Sequence, residues 1–135
     1  MYTKTNDLVS SSETIGESLA LGDREHRIRR ALLHANGPLP NVDTETLWRY
    51  FQHLTTKLSL PFQARCHEAV SITAVLVVHL VDPSRKTRKD SRGICCEIRM
   101  DEMTREVPIA DLEVEEESAN FQPLDDYWYW FWNWQ

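Results

Sequence analysis

The chain has 135 residues, of which 41% are apolar and 27% are charged, and its formal net charge is −6 at neutral pH. That length is sufficient for one domain with its own core and too short for two of ordinary size. The negative charge argues against a general nucleic-acid-binding protein. The cysteines form no C-x-x-C pair, so they indicate neither a disulfide framework nor a zinc knuckle and predict a reducing, cytoplasmic location; they are Cys66, Cys95 and Cys96.

The N-terminal residues 1–22 are rich in serine and threonine and offer little to bury. We therefore predict a disordered lead-in there, followed by a single domain over residues 23–135. No apolar stretch follows a basic start, so the sequence contains no recognisable secretory signal. The longest apolar run before the C-terminal region, Ile72–Val81, is too short and too β-branched for a membrane span, and we expect no transmembrane segment.

Two amphipathic helices are predicted next. The first runs from Asp23 to Asn36 and ends before Gly37-Pro38; its basic face, which we interpret as solvated, carries Arg24, Arg27 and Arg30. The second runs from about Asp43 to Leu58, with Asp43 or Thr44 as the expected N-cap, and Pro61 ends it. One of its faces is apolar and comprises Leu47, Phe51, Leu54 and Leu58. The histidine of this helix, His53, is expected at its surface or rim.

After Pro61 the hydrophobic period changes to two, which predicts strands. A half-buried strand starts at Phe62, and the run Ile72–Val81 reads as a central strand buried on much of both faces, with His79 in the core. Ile94–Met100 and Met103–Val107 predict a hairpin around a turn at Asp101-Glu102, with Pro108 at a strand end. A one-turn link then leads into a last short strand ending at Val114. Four or five such strands predict a small, strongly bent antiparallel sheet closed as an SH3-like barrel.

The C-terminal region is strongly aromatic, with seven aromatic residues between Tyr127 and Trp134. Pro123, Asp125 and Asp126 are suited to the start of a helix. The alternation of the four tryptophans Trp128, Trp130, Trp132 and Trp134 would also fit a strand. We expect a helix whose rings in part dock on the barrel and close its open edge, and the remaining rings could anchor the chain at a membrane interface or a protein partner. The predicted class is therefore α+β, with two N-terminal helices on the sheet and an aromatic C-terminal helix.

Several short motifs, taken in order, resemble the CcbP-type calcium-binding proteins of cyanobacteria and other bacteria. The resemblance runs from Arg24 to Trp130. It is carried by Arg24-Glu25-x-Arg27-Ile28, Ala35-Asn36-Gly37-Pro38, Lys57-Leu58-x-Leu60-Pro61-Phe62-x-Ala64-x-Cys66, Val107-Pro108-Ile109-Ala110-x-Leu112-Glu113 and Asp125-Asp126-Tyr127-Trp128-Tyr129-Trp130. The family implies one small acidic domain, built of helices and a bent sheet, that binds calcium without an EF-hand. The sequence likewise contains no EF-hand loop motif.

The chain also departs from that family pattern. The family typically has an acidic residue at the position of His34 and an acid-rich loop where this chain has residues 82–93. Here that loop carries five basic residues and two acidic ones. Any calcium ligands that the family draws from these places are therefore missing.

The distribution of charge points to a cation independently of the resemblance. Residues 101–126 contain ten acidic residues and one basic residue, Arg105. Calcium prefers six to eight oxygen ligands with several carboxylates among them. In an extended chain Glu113, Glu115 and Glu117 would project to one side, and a helix beginning near Pro123 could fold its two aspartates back toward them. The candidate Ca²⁺ ligands are Asp111, Glu113, Glu115, Glu116, Glu117, Asp125 and Asp126.

We therefore predict a calcium buffer or sensor, and an acidic solvated linker is the simpler alternative for the same residues. A second alternative is an SH3-like binding module that has lost calcium binding and contacts a protein through the aromatic tail, or nucleic acid through the basic loop 84–92. We do not expect an enzyme, because Cys66 and His67 are neighbours in a strand and face opposite sides. The five histidines also lack metal-ligand spacing.

Overall fold

The computed structural model of the chain describes residues 11–67, 71–84 and 92–135, and for residues 11–21 it describes the backbone alone. Within these residues the architecture is α+β, with three α-helices packed on one face of a five-stranded antiparallel sheet. In chain order the elements are α1 (Ser11–Leu32), α2 (Thr44–Lys57), β1 (Phe62–His67), β2 (Ile72–Val81), β3 (Cys95–Met100), β4 (Met103–Pro108), a 3₁₀ turn (Ile109–Asp111), β5 (Leu112–Glu113) and α3 (Phe121–Asn133).

Helix α1 begins at Ser11, and the predicted start at Asp23 is wrong. The residues expected to be a disordered lead-in are therefore helical from Ser11 onward, while residues 1–10 lie outside the described part of the chain. Good helix formers such as Leu19 and Ala20 flank Gly22, so the cost of one glycine, about 1 kcal/mol, does not end the helix. At the other end Leu33 adopts a left-handed conformation, with φ of +55°, and stops the helix before Gly37.

Helix α2 has the start that its sequence predicts. Asp43 is the N-cap, and its carboxylate accepts a hydrogen bond from the Thr46 amide at 2.9 Å while the Thr46 hydroxyl accepts one from the Asp43 amide. This capping box satisfies two amides that the helix itself leaves without partners. Leu47, Tyr50 and Leu54 are buried on the predicted apolar face.

The sheet has the strand order β4-β3-β2-β1-β5, and all of its pairs are antiparallel. The β3–β4 hairpin turns at Asp101-Glu102 as predicted, and the strand that ends at Pro108 lies at an edge. Among the described residues no ladder joins β4 to β5, so the sheet is open. The predicted closure into an SH3-like barrel is thus not confirmed. The loop that carries the basic run, residues 85–91, lies outside the described part of the chain.

Strand β2 is the central strand, but only one of its faces is buried. Val75, Val77 and Leu80 enter the core, and the register shifts between Val77 and His79. His79 lies on the opposite face, where its Nε2 is 2.8 Å from Glu97, so its expected place in the core is wrong. The reason is that the helices cover one face of the sheet, whereas a strand buried on both faces needs a layer on each.

Helix α3 packs against both the other helices and the sheet. The alternative of a C-terminal strand is wrong, because residues Phe121–Asn133 are helical. Tyr127, Trp130 and Phe131 are buried, which is helical spacing, whereas Trp132 remains 61% exposed. The Tyr127 hydroxyl accepts a hydrogen bond from the Ile94 amide at 3.0 Å, which fixes the helix to the start of β3. Within the described ranges, no helix is both long enough and apolar enough to cross a membrane.

Candidate metal centre

The acidic segment begins on β5, where Glu113 faces two basic side chains of β1. The register pairs Glu113 with Arg65, and because residues two apart on a strand share a face, His67 lies on the same side. Glu113 Oε2 is 3.2 Å from Arg65 Nη2, and its Oε1 is 2.7 Å from His67 Nε2. The hydrogen bond from His67, and then that from Arg65, lowers the pKa of Glu113. This carboxylate therefore stays ionised.

Beyond β5 the chain does not remain extended. The Ser118 amide donates to the Glu115 carbonyl at 3.0 Å, and the Phe121 amide donates to the Ser118 carbonyl, so residues 115–121 form consecutive turns. Glu115, Glu116 and Glu117 are all exposed. Glu113 and Glu115 still project to one side, since both contact Arg65, but the turns that follow end the predicted alternation before Glu117.

A concave surface lies beside this segment, and we call it the sheet cavity. Its volume is about 480 Å³, and its charged lining residues are Arg65, Arg99, Asp101, Glu113 and Glu115. Asp101 lies in the turn of the β3–β4 hairpin, whereas the two glutamates lie on or after β5. The cavity is therefore lined by carboxylates from both ends of the strand order. Arg65 lies between the glutamates, since its Nη1 is 3.3 Å from Glu115 and its Nη2 contacts Glu113. A guanidinium therefore stands where a cation would be shared.

The other two predicted ligands lie elsewhere, against α1. Asp126 Oδ2 is 2.7 Å from Arg27 Nε, and its Oδ1 is 3.0 Å from Arg27 Nη2. Arg24 is 2.5 Å from Asp125 and 3.5 Å from Asp126. The hydrogen bonds that Arg27 donates to Asp126 raise the pKa of Arg27. These aspartates join α3 to α1 and are not directed toward Glu113.

The described residues offer the type of ligand that calcium prefers, but they are not arranged around a common point. Carboxylate oxygens are the hard donors that calcium prefers. In residues 11–67, 71–84 and 92–135, however, no group of three or more His, Cys, Asp or Glu side chains is close enough together to hold a metal ion. Glu116, Glu117 and Asp111 are exposed and have no hydrogen bond or ion pair with any described residue. Their carboxylates can turn toward an ion without breaking a contact, whereas those of Glu113 and Glu115 must first leave Arg65.

The sequence interpretation missed the two basic partners of the glutamates. The alternation in β1 does place Arg65 and His67 on the polar face of the strand, which is the available signal. Their contact with Glu113 depends on the pairing of β1 with β5, between which three other strands lie in the sequence, and Arg65 and Glu113 are 48 residues apart. A pattern of one strand does not give that register.

Two solved structures share the fold. The first, described as a calcium-binding protein in the calcium-binding form, superposes with a TM-score of 0.61 at 17% sequence identity, over 80% of this chain and 88% of its own length. The second is CcbP of Anabaena, with a TM-score of 0.60 and 19% identity, over 81% of this chain and 89% of its own.

No curated protein matches the chain in sequence. The family model of CcbP calcium binding matches residues 40–131, which is more than half of the chain and includes the acidic segment and the aromatic helix. The chain belongs to the CcbP family of calcium-binding proteins.

Proposed function

We propose that this protein binds calcium and acts as a calcium buffer or sensor, with the ion held by the acidic segment that precedes α3. The single observation that carries the proposal is membership of the calcium-binding family over residues 40–131, which includes every candidate carboxylate. Positions 101–126 contain ten acidic residues and one basic residue, and this concentration of negative charge supports the proposal because it attracts cations.

The proposed ligands are the carboxylates next to the sheet cavity and in the turns that follow it: Asp111, Glu113, Glu115, Glu116 and Glu117. We leave Asp125 and Asp126 out of the set, because both are already neutralised by arginines of α1. A calcium ion that takes Glu113 and Glu115 displaces Arg65 from them. The affinity is therefore reduced by the free energy of two ion pairs, and we expect weak binding.

Removing the competing guanidinium tests this ligand set. In Arg65→Gln the two glutamates no longer have their cation, so the calcium affinity should rise. Arg99→Gln is the matched control, since Arg99 lines the same cavity and its loss changes the net charge equally, yet it makes no described contact with either glutamate. Calorimetric titration with calcium, repeated with magnesium at the same ionic strength, should give a calcium affinity roughly fivefold or more higher for Arg65→Gln than for Arg99→Gln.

Equal gains for the two variants would mean that calcium is attracted by the field of the surface and that Arg65 does not compete with it. Loss of binding in Glu113→Gln with Glu115→Gln would support the ligand set, and unchanged binding would remove these two residues from it. Amide hydrogen exchange of α3, measured with and without calcium, distinguishes a calcium buffer from a calcium sensor. A buffer leaves the exchange of the helix unchanged, whereas a sensor alters it.

A further inference from the structure

A second cavity lies where the three helices meet, and we call it the basic pocket. Its volume is about 300 Å³, and α1, α2 and α3 each contribute neighbours one helical turn apart. The lining residues are Arg27, Arg30, His53, Lys57, Gln122, Pro123 and Asp126. They carry three full positive charges against one negative charge, on a chain whose overall charge is −6. The pocket is thus a local reversal of the charge of the molecule.

The charges of the basic pocket differ in how far they are already neutralised. Arg27 is held in a two-point hydrogen bond by Asp126, so it forms a fixed wall. The side chains of Arg30 and Lys57, by contrast, make no hydrogen bond or ion pair with any described residue. The carboxylate in the pocket, that of Asp126, is held by Arg27, so the charges of Arg30 and Lys57 repel each other, and an anion between them would remove that repulsion.

His53 adds a polar group between the two cations. It is half-buried, and its ring makes an edge contact with Tyr50 at 5.8 Å between ring centroids. Burial, and then the charge of Lys57, lowers the pKa of His53, while Asp126 opposes the effect and Arg30 adds to it. Neither ring nitrogen has a partner among the described residues. A neutral imidazole can donate one N–H to an oxygen atom in the pocket.

We propose that the basic pocket binds a phosphate group, either as the free ion or as part of a small phosphomonoester. The two unpaired cations balance the charge of a phosphate dianion. Its oxygen atoms can accept hydrogen bonds from the guanidinium of Arg30, the ammonium of Lys57 and the ring of His53. The donors approach from two helices, which suits a tetrahedral ion better than a planar one.

The size of the pocket bears on which form of phosphate is bound. Pockets that hold small molecules have volumes of roughly 300–1,000 Å³. The basic pocket is at the lower end of that range, so it has room for a phosphate group with a small organic part. The exposed side chain of Gln122 lies at its rim and can reach a hydroxyl group of such a ligand.

The test is a set of titrations of the full chain without calcium, since phosphate would itself bind the metal. Inorganic phosphate and ribose 5-phosphate are the two probes, and chloride at matched ionic strength measures screening. Backbone amide and histidine ring NMR signals should shift saturably around Arg30, His53 and Lys57 with both probes, and the pKa of His53 should rise when phosphate is bound. Tighter binding of ribose 5-phosphate than of inorganic phosphate would mean that the pocket binds a phosphomonoester. Equal binding of the two probes would mean that it binds the free phosphate ion.

Single substitutions then separate a site from a basic surface. Arg30→Gln and Lys57→Gln should each weaken phosphate binding by roughly tenfold or more, since each removes a charge-assisted hydrogen bond. Arg99→Gln, which removes the same charge from the opposite face of the sheet, should leave the affinity unchanged. Urea unfolding verifies that each variant is folded. The proposal would be overturned if the shifts stay linear, appear equally with chloride, or weaken equally in Arg99→Gln. None of these results would bear on the calcium proposal, which a separate titration tests.

Discussion

Gly93 lies against α3, just before the start of β3. Its backbone has φ of +74°, in the left-handed region that side chains disfavour. A Cβ atom built there would overlap the Tyr127 hydroxyl and lie 2.7 Å from Cε1 of Phe131. Both rings are buried, so neither can move aside without opening the core. Gly37 has a similar φ of +85°, but nothing lies within 4 Å of the position of its Cβ.

These two glycines form a matched pair of substitutions. Gly37→Ala should lower the free energy of unfolding by about 1 kcal/mol, which is the strain of the backbone alone. Gly93→Ala should lower it by about 3 kcal/mol, because overpacking adds to the same strain. Urea denaturation of both variants measures the difference. Equal losses would mean that the Tyr127 and Phe131 rings yield to the methyl group and that the contact of α3 with β3 is loose.

At the scale of elements, one carboxylate joins α1 to α3. The side chain of Asp126 is only 6% exposed and that of Arg24 only 9%, so their charges are largely withdrawn from water. Asp126→Asn removes the negative charge that both Arg24 and Arg27 contact. Removing one partner of a largely buried ion pair is strongly destabilising, because the positive charges that remain lose much of their compensation. We expect a loss of about 3 kcal/mol in the free energy of unfolding by urea.

Asp111→Asn is the control for that experiment. Asp111 is exposed and has no partner among the described residues, so its loss should change the stability by less than about 0.5 kcal/mol. If both variants lose the same small amount, α1 is held to α3 by its apolar contacts alone. Ile28 and Leu32 of α1 are fully buried in the core that also contains the buried side chains of α3.

The elements themselves were largely predictable, because their signals are local. The cap at Asp43, the break before Pro61, the two-residue period of β1 and β3 and the turn at Asp101 each appear within a few residues. The exposed face of β2 and the place of His79 were not predictable. Which face of a sheet receives the helices depends on contacts between elements that are distant in the sequence, and a run of β-branched residues fits either outcome.

The candidate metal centre was predictable only in composition. The excess of acidic residues located the segment, since charge can be counted along the chain. The division of its carboxylates between Arg65 on β1 and the arginines of α1 depends on strand register and helix docking. Basic residues that neutralise a carboxylate cluster can come from any part of the chain. An acidic run therefore indicates a cation site without identifying its ligands.

For the molecule as a whole, calcium should be coupled to folding. A ligand that binds the native state alone stabilises it by RT ln(1 + [L]/Kd), which is about 2.7 kcal/mol at one hundred times Kd. For a domain of this size we expect a rise of roughly 10 °C in the melting temperature, observable by scanning calorimetry over a calcium series. The rise should continue with the logarithm of the calcium concentration above Kd. Mere screening of charges instead levels off and is reproduced by other salts.

Two double variants, each of which removes two negative charges, test which carboxylates cause the calcium-dependent rise in melting temperature. Glu116→Gln with Glu117→Gln takes two proposed ligands that have no described partner, and should abolish most of the calcium-dependent rise. Glu102→Gln with Glu106→Gln removes the same charge from the exposed β3–β4 hairpin, and should keep the rise intact. If the two pairs respond alike, calcium acts on the summed charge of the acidic half of the chain. If only the first pair loses the response, the turns after β5 hold the ion, and folding of those turns is the means by which binding stabilises the whole domain.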